Sequence, residues 1–323
     1  MKATQPRMFS LIVIMAVLLL ATTASAQEKQ IPVNLLNLKQ VETHLQMANY
    51  QKLGGGINKW HHIRTLMSVD KQTTIAANRD TRYSFAVVGL AEPISVTVPE
   101  THGRYITVEV IDEWHYCPFV FTKPGSYELT EENVGTRYAI LIVRVFVDPN
   151  DKKDMAEVTT LQDALALKGG GTDALELPAY NMEQYEVLYP KIQELVRHIG
   201  GESRGSMGKR GETNELLHII GTIAGWGLLP PEYALYNPTA QKGIAADKKY
   251  KIEMPADVPV RAFWSISMYN EDGYFVKNDA DAYSVNSVTA KKNKDGSWTI
   301  HMGAWPDGTP NWLPIPGANS YWQ

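Results

Sequence analysis

Apolar residues recur with a period of two over long parts of the chain, a pattern typical of half-buried β-strands. Residues 94–98 and 105–110 alternate apolar and polar side chains, and residues 139–146 form an apolar run broken only by Arg144. Turn-forming residues rather than helices separate these stretches. The pattern predicts an antiparallel β-sandwich between about residues 73 and 147.

The alternation returns near residue 250 and is clearest between residues 258 and 277. There Trp264, Ile266 and Met268 alternate with smaller polar residues, and a turn-forming cluster follows at residues 270–273. We interpret this stretch as a β-hairpin. Its apolar face requires cover from other strands, so a second sandwich is expected in the C-terminal part of the chain.

Other stretches have apolar residues at helical spacing. The first runs from Leu38 through Val41, Leu45 and Ala48 towards the glycines at 54–56, and predicts a short amphipathic lead-in helix. Three more helices are expected between the two β regions. They are predicted from Leu161 to Lys168, from Pro190 as a first helical residue, and from Thr213 as an N-cap.

The first 26 residues have the features of a cleaved signal peptide. Lys2 and Arg7 precede an apolar run at 11–21, and Ala24-Ser25-Ala26 follows as a small-residue cleavage site. The run is shorter than the roughly 20 residues that a spanning helix needs. We therefore expect a periplasmic or secreted bacterial protein whose mature chain begins near Gln27.

Charge and cysteine content exclude several function classes. The chain has 31 Lys and Arg residues against 35 Asp and Glu residues. Such a mildly acidic balance offers no basic stripe for nucleic acid. Cys117 is the only cysteine, so the chain has no internal disulfide, and the expected role of this side chain is that of a small buried apolar group.

The motifs at residues 75–84, 103–105 and 134–138 resemble the N-terminal domain-of-unknown-function family 1254, DUF1254. The motifs at 263–270, 273–275 and 311–314 resemble its usual partner, DUF1214. The resemblance covers about residues 41–316. It implies a mainly β fold with a helical insert, an immunoglobulin-like N-terminal sandwich and a C-terminal jelly-roll-like sandwich, and it implies no activity.

Pattern and resemblance together predict five segments. They are a signal peptide (1–26), a lead-in helix (27–56), a DUF1254 β-sandwich (57–150), a helical insert (151–230) and a DUF1214 jelly-roll-like sandwich (231–323). Relatives usually continue into a further strand after the Leu-Pro motif, so this copy is C-terminally shortened by comparison. An unpaired sheet edge is then expected beside Trp264, and a homo-oligomer is the predicted remedy.

One polar cluster is the candidate ligand-binding or interface site. Residues that alternate along a strand share a face, so an aspartate flanked by two arginines is expected to form a fixed ion-pair network. Two histidines, each near a strand end, are added to it. Its members are Asn78, Arg79, Asp80, Arg82, Tyr83, His102 and His115. The cluster is either a strut between the two sandwiches or a pocket for an oxygen-rich ligand.

Other motifs are discounted. Gly201–Gly205 fits a nucleophile elbow but follows a predicted helix instead of a strand, and Ser206–Lys209 is too short a match to a Ser-x-x-Lys motif. The adjacent His61 and His62 point in different directions, and His102, His115 and Asp112 lack a recognised ligand spacing. We therefore expect no metal and no cofactor.

Two hypotheses of function remain. The first is an exported two-domain β-sandwich protein of unassigned biochemical role that binds a small or carbohydrate-like ligand. Tryptophans such as Trp305 and Trp312, set among Pro and Gly, favour it because aromatic rings at a surface bind flat apolar faces. The second is a secreted hydrolase or lyase that uses Asp80, Arg79 and Arg82 with a histidine. Sequence does not decide whether the protein is an enzyme.

Overall fold

A computed structural model describes residues 30–72, 76–171, 174–198, 204–237 and 244–323. The predicted signal peptide lies outside these residues, and so does Ser203 of the elbow motif. In the described part the chain is mainly β, as predicted, with strands in four sheets. None of the helices described is long and apolar enough to cross a membrane.

The helices are α1 (Leu38–Gly54), α2 (Glu131–Val134), α3 (Lys152–Asp163), α4 (Met182–Leu195) and α5 (Glu215–Ala224). The N-terminal strands are β1 (His61–His62), β2 (Thr81–Gly89), β3 (Ile94–Val98), β4 (Ile106–Asp112), β5 (Phe119–Phe121), β6 (Gly125–Leu129), β7 (Tyr138–Phe146) and β8 (Ala166–Gly169). The C-terminal strands are β9 (Lys249–Met254), β10 (Ser265–Tyr269), β11 (Ser284–Asn286), β12 (Trp298–Gly303), β13 (Trp312–Leu313) and β14 (Tyr321–Trp322).

Two sheets form the N-terminal unit. The larger has the order β1-β2-β7-β4-β5 and is antiparallel throughout, and the smaller has the order β6-β3-β8. Their facing side chains make one apolar core that includes Val88, Val96, Val108 and Leu141. The continuous apolar character of β7 arises because this central strand is buried on both faces.

A second core covers the other face of the large sheet. Phe85, Ile111 and Ile142 on this face pack against Met47 of α1 and against Met207 from the chain before α5. This face also carries the charged residues of the candidate site described below.

Helix α1 lies where predicted, and Leu38 and Val41 are buried as expected, but the rest of its buried face differs from the prediction. Leu45 and the neighbouring Ala48 are exposed, whereas Lys39, Thr43 and His44 are buried. The apolar spacing was misleading because polar side chains of α1 find hydrogen-bond partners in the elements that cover it, which offsets the cost of burying them.

Three of the helix limits predicted for the insert are wrong. Residues 166–169 form β8, which pairs with β3, and the helix before them is α3, capped by Asp151. Pro190 lies inside α4, whose N-cap is Asn181. Asn214, rather than Thr213, caps α5 by accepting the Leu217 amide. Each true cap is an Asx side chain that supplies an acceptor to a free helical N–H.

The C-terminal unit packs two three-stranded sheets, β11-β10-β14 and β13-β12-β9, around Trp264, Ile266, Ile300 and Met302. The predicted hairpin is wrong in its second strand. Residues 273–277 form no strand, and β10 pairs instead with β11. Tertiary packing decided the partner, because Phe275 is buried against Tyr269 and Tyr283.

The edge of β10 that was expected to be unpaired is covered by β14. Met268 pairs with Trp322 and Tyr269 with Tyr321, and the amide of Ser267 bonds the Gln323 carbonyl at 2.9 Å. The edge argument for an oligomer therefore no longer applies. Oligomer formation itself stays a prediction.

Candidate functional site

A pocket of about 290 Å³ opens at the outer edge of the large sheet, which we call the β5 pocket. Within the described residues, strand β5 pairs only with β4, and the segments before and after α5 line the pocket beside it. The bond from the Cys117 amide to the Gly208 carbonyl, at 2.9 Å, ties one of these segments to the sheet. The lining residues are Cys117, Pro118, Phe119, Val120, Phe121, Gly208, Lys209, Glu212, Pro230, Glu232 and Tyr233.

Cys117 lies in the wall of the β5 pocket as a buried thiol. Its Sγ lies 3.4 Å from the Phe119 carbonyl oxygen, to which it donates. Burial raises the pKa of this thiol well above its usual value, and the nearby Glu109 raises it further. A protonated, buried thiol is a poor nucleophile, so Cys117 contributes shape to the pocket instead of reactivity.

A buried ion pair lies beside that wall. Glu109 of β4 is opposite Val120, so both side chains lie on the same face of the sheet. Glu109 Oε2 accepts from Arg144 Nη1 at 2.7 Å, and Arg144 Nη2 also donates to the Gly227 carbonyl. Glu109 Oε1 is buried, and the Cys117 side chain lies close enough to stabilise the carboxylate.

The burial of Glu109 controls its charge. Burial raises the pKa of this carboxyl to about 7, although Arg144 counteracts part of the effect. The group therefore exchanges its proton near neutral pH, unlike an ordinary glutamate.

Three tyrosines surround Arg144 at the boundary with the C-terminal unit. The guanidinium carbon lies 5.5 Å from the centre of the Tyr83 ring. Burial raises the pKa of Tyr105 and of Tyr236, and the charge of Arg144 acts on both. Tyr105 in turn meets Phe263 edge-on at 5.3 Å. The phenols of Tyr105 and Tyr236 therefore stay protonated at neutral pH and can donate hydrogen bonds.

A separate polar network joins α1 to α5. Lys39 Nζ donates to Glu215 Oε2 at 2.7 Å and to the Tyr116 hydroxyl at 3.0 Å, and it lies 3.3 Å from His218 Nδ1. The Tyr116 hydroxyl donates to Glu215 Oε1 at 2.5 Å. Burial, followed by the charge of Lys39, lowers the pKa of His218 to about 4. The network is internally satisfied, so it docks the two helices.

His115, one of the predicted site residues, belongs to this network. Its Nε2 accepts the Gly227 amide at 2.9 Å, and its Nδ1 lies 2.8 Å from Thr222 Oγ1. The Thr222 hydroxyl donates to the His218 carbonyl, so it accepts from His115 Nδ1–H. Burial lowers the pKa of His115 well below its usual value. His115 is therefore a neutral, buried residue that orders the chain after α5.

Asp80 faces the C-terminal unit. Its carboxylate accepts from Ser265 Oγ at 2.6 Å, from Asn286 Nδ2 at 2.8 Å and from Ser284 Oγ at 3.4 Å. Burial raises its pKa, and these hydrogen bonds lower it in part. Asn78 Oδ1 accepts the Asp80 amide at 2.6 Å, which fixes the turn before β2.

The predicted ion pair of Asp80 with Arg79 or Arg82 is wrong. Arg79 donates to the Met67 carbonyl and its guanidinium lies 4.8 Å from the centre of the Tyr283 ring. Arg82 donates to the Met155 carbonyl and to Thr159 Oγ1 of α3, both at 2.8 Å. Strand β2 begins only at Thr81, so the alternation on which the prediction rests does not extend back to Asp80.

The two predicted histidines do not meet. His102 is exposed in the turn before β4, and His115 follows β4 at its other end. Seven strand residues separate them by roughly 20 Å. Among the described residues, no group of three or more His, Cys, Asp or Glu side chains could hold a metal ion.

Glu109, Arg144 and Lys39 were absent from the predicted site. A signal for Arg144 existed, since it is the one charged residue in the apolar run of β7. A charge in a strand buried on both faces requires a paired partner. Sequence does not reveal that the partner is Glu109, because their closeness depends on the pairing of β4 with β7.

A larger depression of about 410 Å³ lies on the C-terminal unit between the turn after β10 and residues 316–320. It is open and is formed by loops, and its polar residues include Asn270, Glu271 and Asn319. The β5 pocket has more apolar lining, including Phe119, Val120 and Tyr233, beside its charged groups, so we favour it as the candidate site.

Comparison with known structures identifies the fold. The VPA0106 protein from Vibrio parahaemolyticus aligns over 89% of this chain and 93% of its own, with 20% identity and a TM-score of 0.63. A putative uncharacterized protein from Burkholderia cenocepacia aligns over 89% of this chain and 81% of its own, with 15% identity and a TM-score of 0.50. At these identities the likeness concerns the fold alone. No match is found among curated proteins.

Two families of unknown function match the sequence in the expected order. Residues 57–169 match the family described as protein of unknown function DUF1254. Residues 233–323 match the family described as protein of unknown function DUF1214. The chain therefore belongs to the proteins that combine a DUF1254 domain with a DUF1214 domain.

Proposed function

We propose that this protein is exported and binds a small, oxygen-rich ligand of the carbohydrate-like class in the β5 pocket. The observation that carries the proposal is the mixed lining of that pocket. Val120, Pro230 and Tyr233 provide apolar contact, and Glu212 and Glu232 provide carboxylates beside them. Carbohydrate-like compounds have apolar C–H faces and hydroxyl groups, so they need both kinds of contact.

The charged side chains of the lining support the same class of ligand. Lys209, Glu212 and Glu232 line the pocket and are exposed. Hydroxyl groups can donate to carboxylates and accept from an ammonium group, whereas a purely apolar ligand can do neither.

The proposal of export rests on the first 26 residues. Mass spectrometry of the protein recovered from the periplasm or the medium is expected to give an N-terminus near Gln27. An intact N-terminus on protein retained in the cytoplasm would contradict it.

Binding is tested by a thermal-shift screen of the mature protein against neutral sugars, sugar acids and short acyl compounds. A ligand present at about 100 times its Kd stabilises the folded state by about 2.7 kcal/mol. Glu232→Gln and Tyr233→Ala are expected to remove the shift. Glu183→Gln and Tyr274→Ala are the matched controls, since Glu183 is an exposed glutamate of α4 and Tyr274 has 37% exposure against 42% for Tyr233.

The controls are expected to keep the shift. If the Glu232 and Tyr233 variants keep it as well, the ligand binds elsewhere and the assignment of the β5 pocket is wrong. The hydrolase or lyase hypothesis receives no support from the geometry, because the hydrogen-bond partners of the Asp80 carboxylate are two serines and Asn286, with no histidine among them.

A further inference from the structure

The outer face of the sheet β13-β12-β9 exposes aromatic and basic side chains in a fixed order. Trp312 is paired with His301 across one strand boundary, and His301 is paired with Lys251 across the other. Alternation turns Trp298, Ile300 and Met302 of β12 into the core, so His301 points outward between them. A tryptophan, a histidine and a lysine therefore lie side by side across the sheet.

Trp305 extends this row. Its ring centre lies 5.0 Å from Lys249 Nζ, 5.1 Å from Lys251 Nζ and 4.6 Å from the centre of the His301 ring. Both lysines are exposed, and both tryptophans are partly exposed. The Trp305 ring holds two ammonium groups beside each other through cation–π contacts. We call the set Lys249, Lys251, His301, Trp305 and Trp312 the tryptophan–lysine face.

The rings of this face are fixed by internal hydrogen bonds. Trp312 Nε1 donates to the Gly303 carbonyl at 2.7 Å, and Trp305 Nε1 donates to the Tyr250 carbonyl at 3.1 Å. His301 Nδ1 donates to the Pro310 carbonyl at 2.7 Å, which leaves Nε2 for an external partner. With both indole N–H groups used, the tryptophans offer apolar ring surface to a ligand, and the lysines offer charge.

We propose that the tryptophan–lysine face binds an acidic polysaccharide built from uronic acids. The C–H faces of the sugar rings pack on Trp312, and the carboxylates pair with Lys249 and Lys251. The positive charge that would attract an acidic polymer is confined to this face, since the whole chain carries a formal net charge of −4. The acidic residue on this face, Glu253, lies towards the end of β9 and accepts from Thr299 Oγ1 at 2.8 Å.

This inference is independent of the β5 pocket, which lies at the edge of the large N-terminal sheet and for which a small ligand is proposed. An extended polymer requires an open surface, and the exposed edge of β9 provides one. Neighbouring sugar residues along such a chain engage Trp312 and the two lysines together, so several weak contacts add up.

The test is the retardation of the mature protein in native gels that contain polygalacturonate. Dextran is the neutral control polymer, and dextran sulfate is an anionic control polymer without uronic acids. Polygalacturonate is expected to retard the protein, and dextran is not. Lys249→Glu combined with Lys251→Glu is expected to weaken binding by roughly tenfold, because two exposed ion pairs are lost and repulsion replaces them. Lys71→Glu combined with Lys123→Glu is the matched control at exposed positions elsewhere.

Trp312→Ala is expected to weaken polygalacturonate binding by about fivefold while leaving any binding of dextran sulfate unchanged. Equal binding by the two lysine double variants would overturn the proposal. So would an equal loss of both acidic polymers in Trp312→Ala, or retardation by dextran sulfate alone, which would show a non-specific charge effect. Tyr233→Ala, a variant of the β5 pocket, is expected to bind polygalacturonate normally, so failure of the pocket proposal and failure of this one are separable.

Discussion

The Asp80 carboxylate of the N-terminal unit accepts a hydrogen bond from the Asn286 amide of the C-terminal unit at 2.8 Å, and both residues are buried. Ser265 adds a second bond at 2.6 Å. An acceptor held by donors from two strands, β10 and β11, fixes the relative position of these strands and the start of β2. Asp80 thus joins the two β units directly.

Asp80→Ala is expected to destabilise the protein by about 3 kcal/mol, because it leaves the buried Asn286 amide and the Ser265 hydroxyl without their acceptor. Urea unfolding monitored by tryptophan fluorescence measures the effect. Asp279→Ala, at an exposed aspartate, is the control and should change stability by less than about 0.5 kcal/mol. Equal midpoints for the two variants would show that Asp80 does not link the units.

Glu109→Gln is expected to change the pH dependence of stability. The folded pKa of about 7 lies above the usual 4.5, so the contribution of Glu109 is present below pH 4.5 and is lost as the pH rises through 7. Relative to Glu109→Gln, the wild type should lose about 3 kcal/mol between pH 4 and pH 8. Parallel profiles for the two proteins would show that Glu109 has an ordinary pKa.

His218→Gln is expected to have the opposite pH signature. The folded pKa of about 4 lies below 6.5, since His218 is buried and faces Lys39. His115, Glu215 and Arg210 also face it. The contribution of neutral His218 is present above pH 6.5 and is lost as the pH falls towards 4. The stability of the wild type relative to the variant should therefore fall by about 3 kcal/mol from pH 7 to pH 4, measured by chemical unfolding, and a flat difference would contradict this.

Gly303→Ala is expected to destabilise the C-terminal unit strongly. Gly303 has φ +86°, and a Cβ there would lie 2.1 Å from the Lys248 carbonyl oxygen. Backbone strain and steric overlap together should lower the free energy of unfolding by about 3 kcal/mol. Gly308→Ala is the matched control, because Gly308 has φ +78° with nothing within 4 Å, so it should lose only about 1 kcal/mol. Calorimetric unfolding of both variants measures the difference, and equal losses would show that the contact with Lys248 relaxes freely.

Much of the fold was predictable from local pattern. The period-two runs that become β3 and β4, and the apolar run that becomes β7, are predicted strands, because one face or both faces of each strand are buried in an apolar core. The two sets of family motifs predicted the order of the two β units along the chain. The prediction failed where a residue had more than one suitable partner, as at Phe275, which packs against Tyr269 instead of extending a hairpin.

The candidate site was less predictable. The cluster around Asp80 was predicted to be either a strut or a pocket, but the hydrogen bonds of Asp80 go to Ser265 and Asn286, which lie 185 and 206 residues away in sequence. The buried polar face of α1 gave no signal, since Lys39 and His44 alternate with apolar residues as they would on a solvated helix.

The sequence by itself determined the mainly β architecture, the two family domains and the expectation of export, because these depend on local periodicity, on short motifs and on the first 26 residues. The tertiary structure alone decided which charges are buried and with whom they pair. Glu109 meets Arg144 only because β4 pairs with β7, and Asp80 meets Asn286 only because the two units pack together. A buried charged group loses its hydration and must be compensated by other protein groups. The role of such a residue therefore depends on contacts between segments that are distant in sequence.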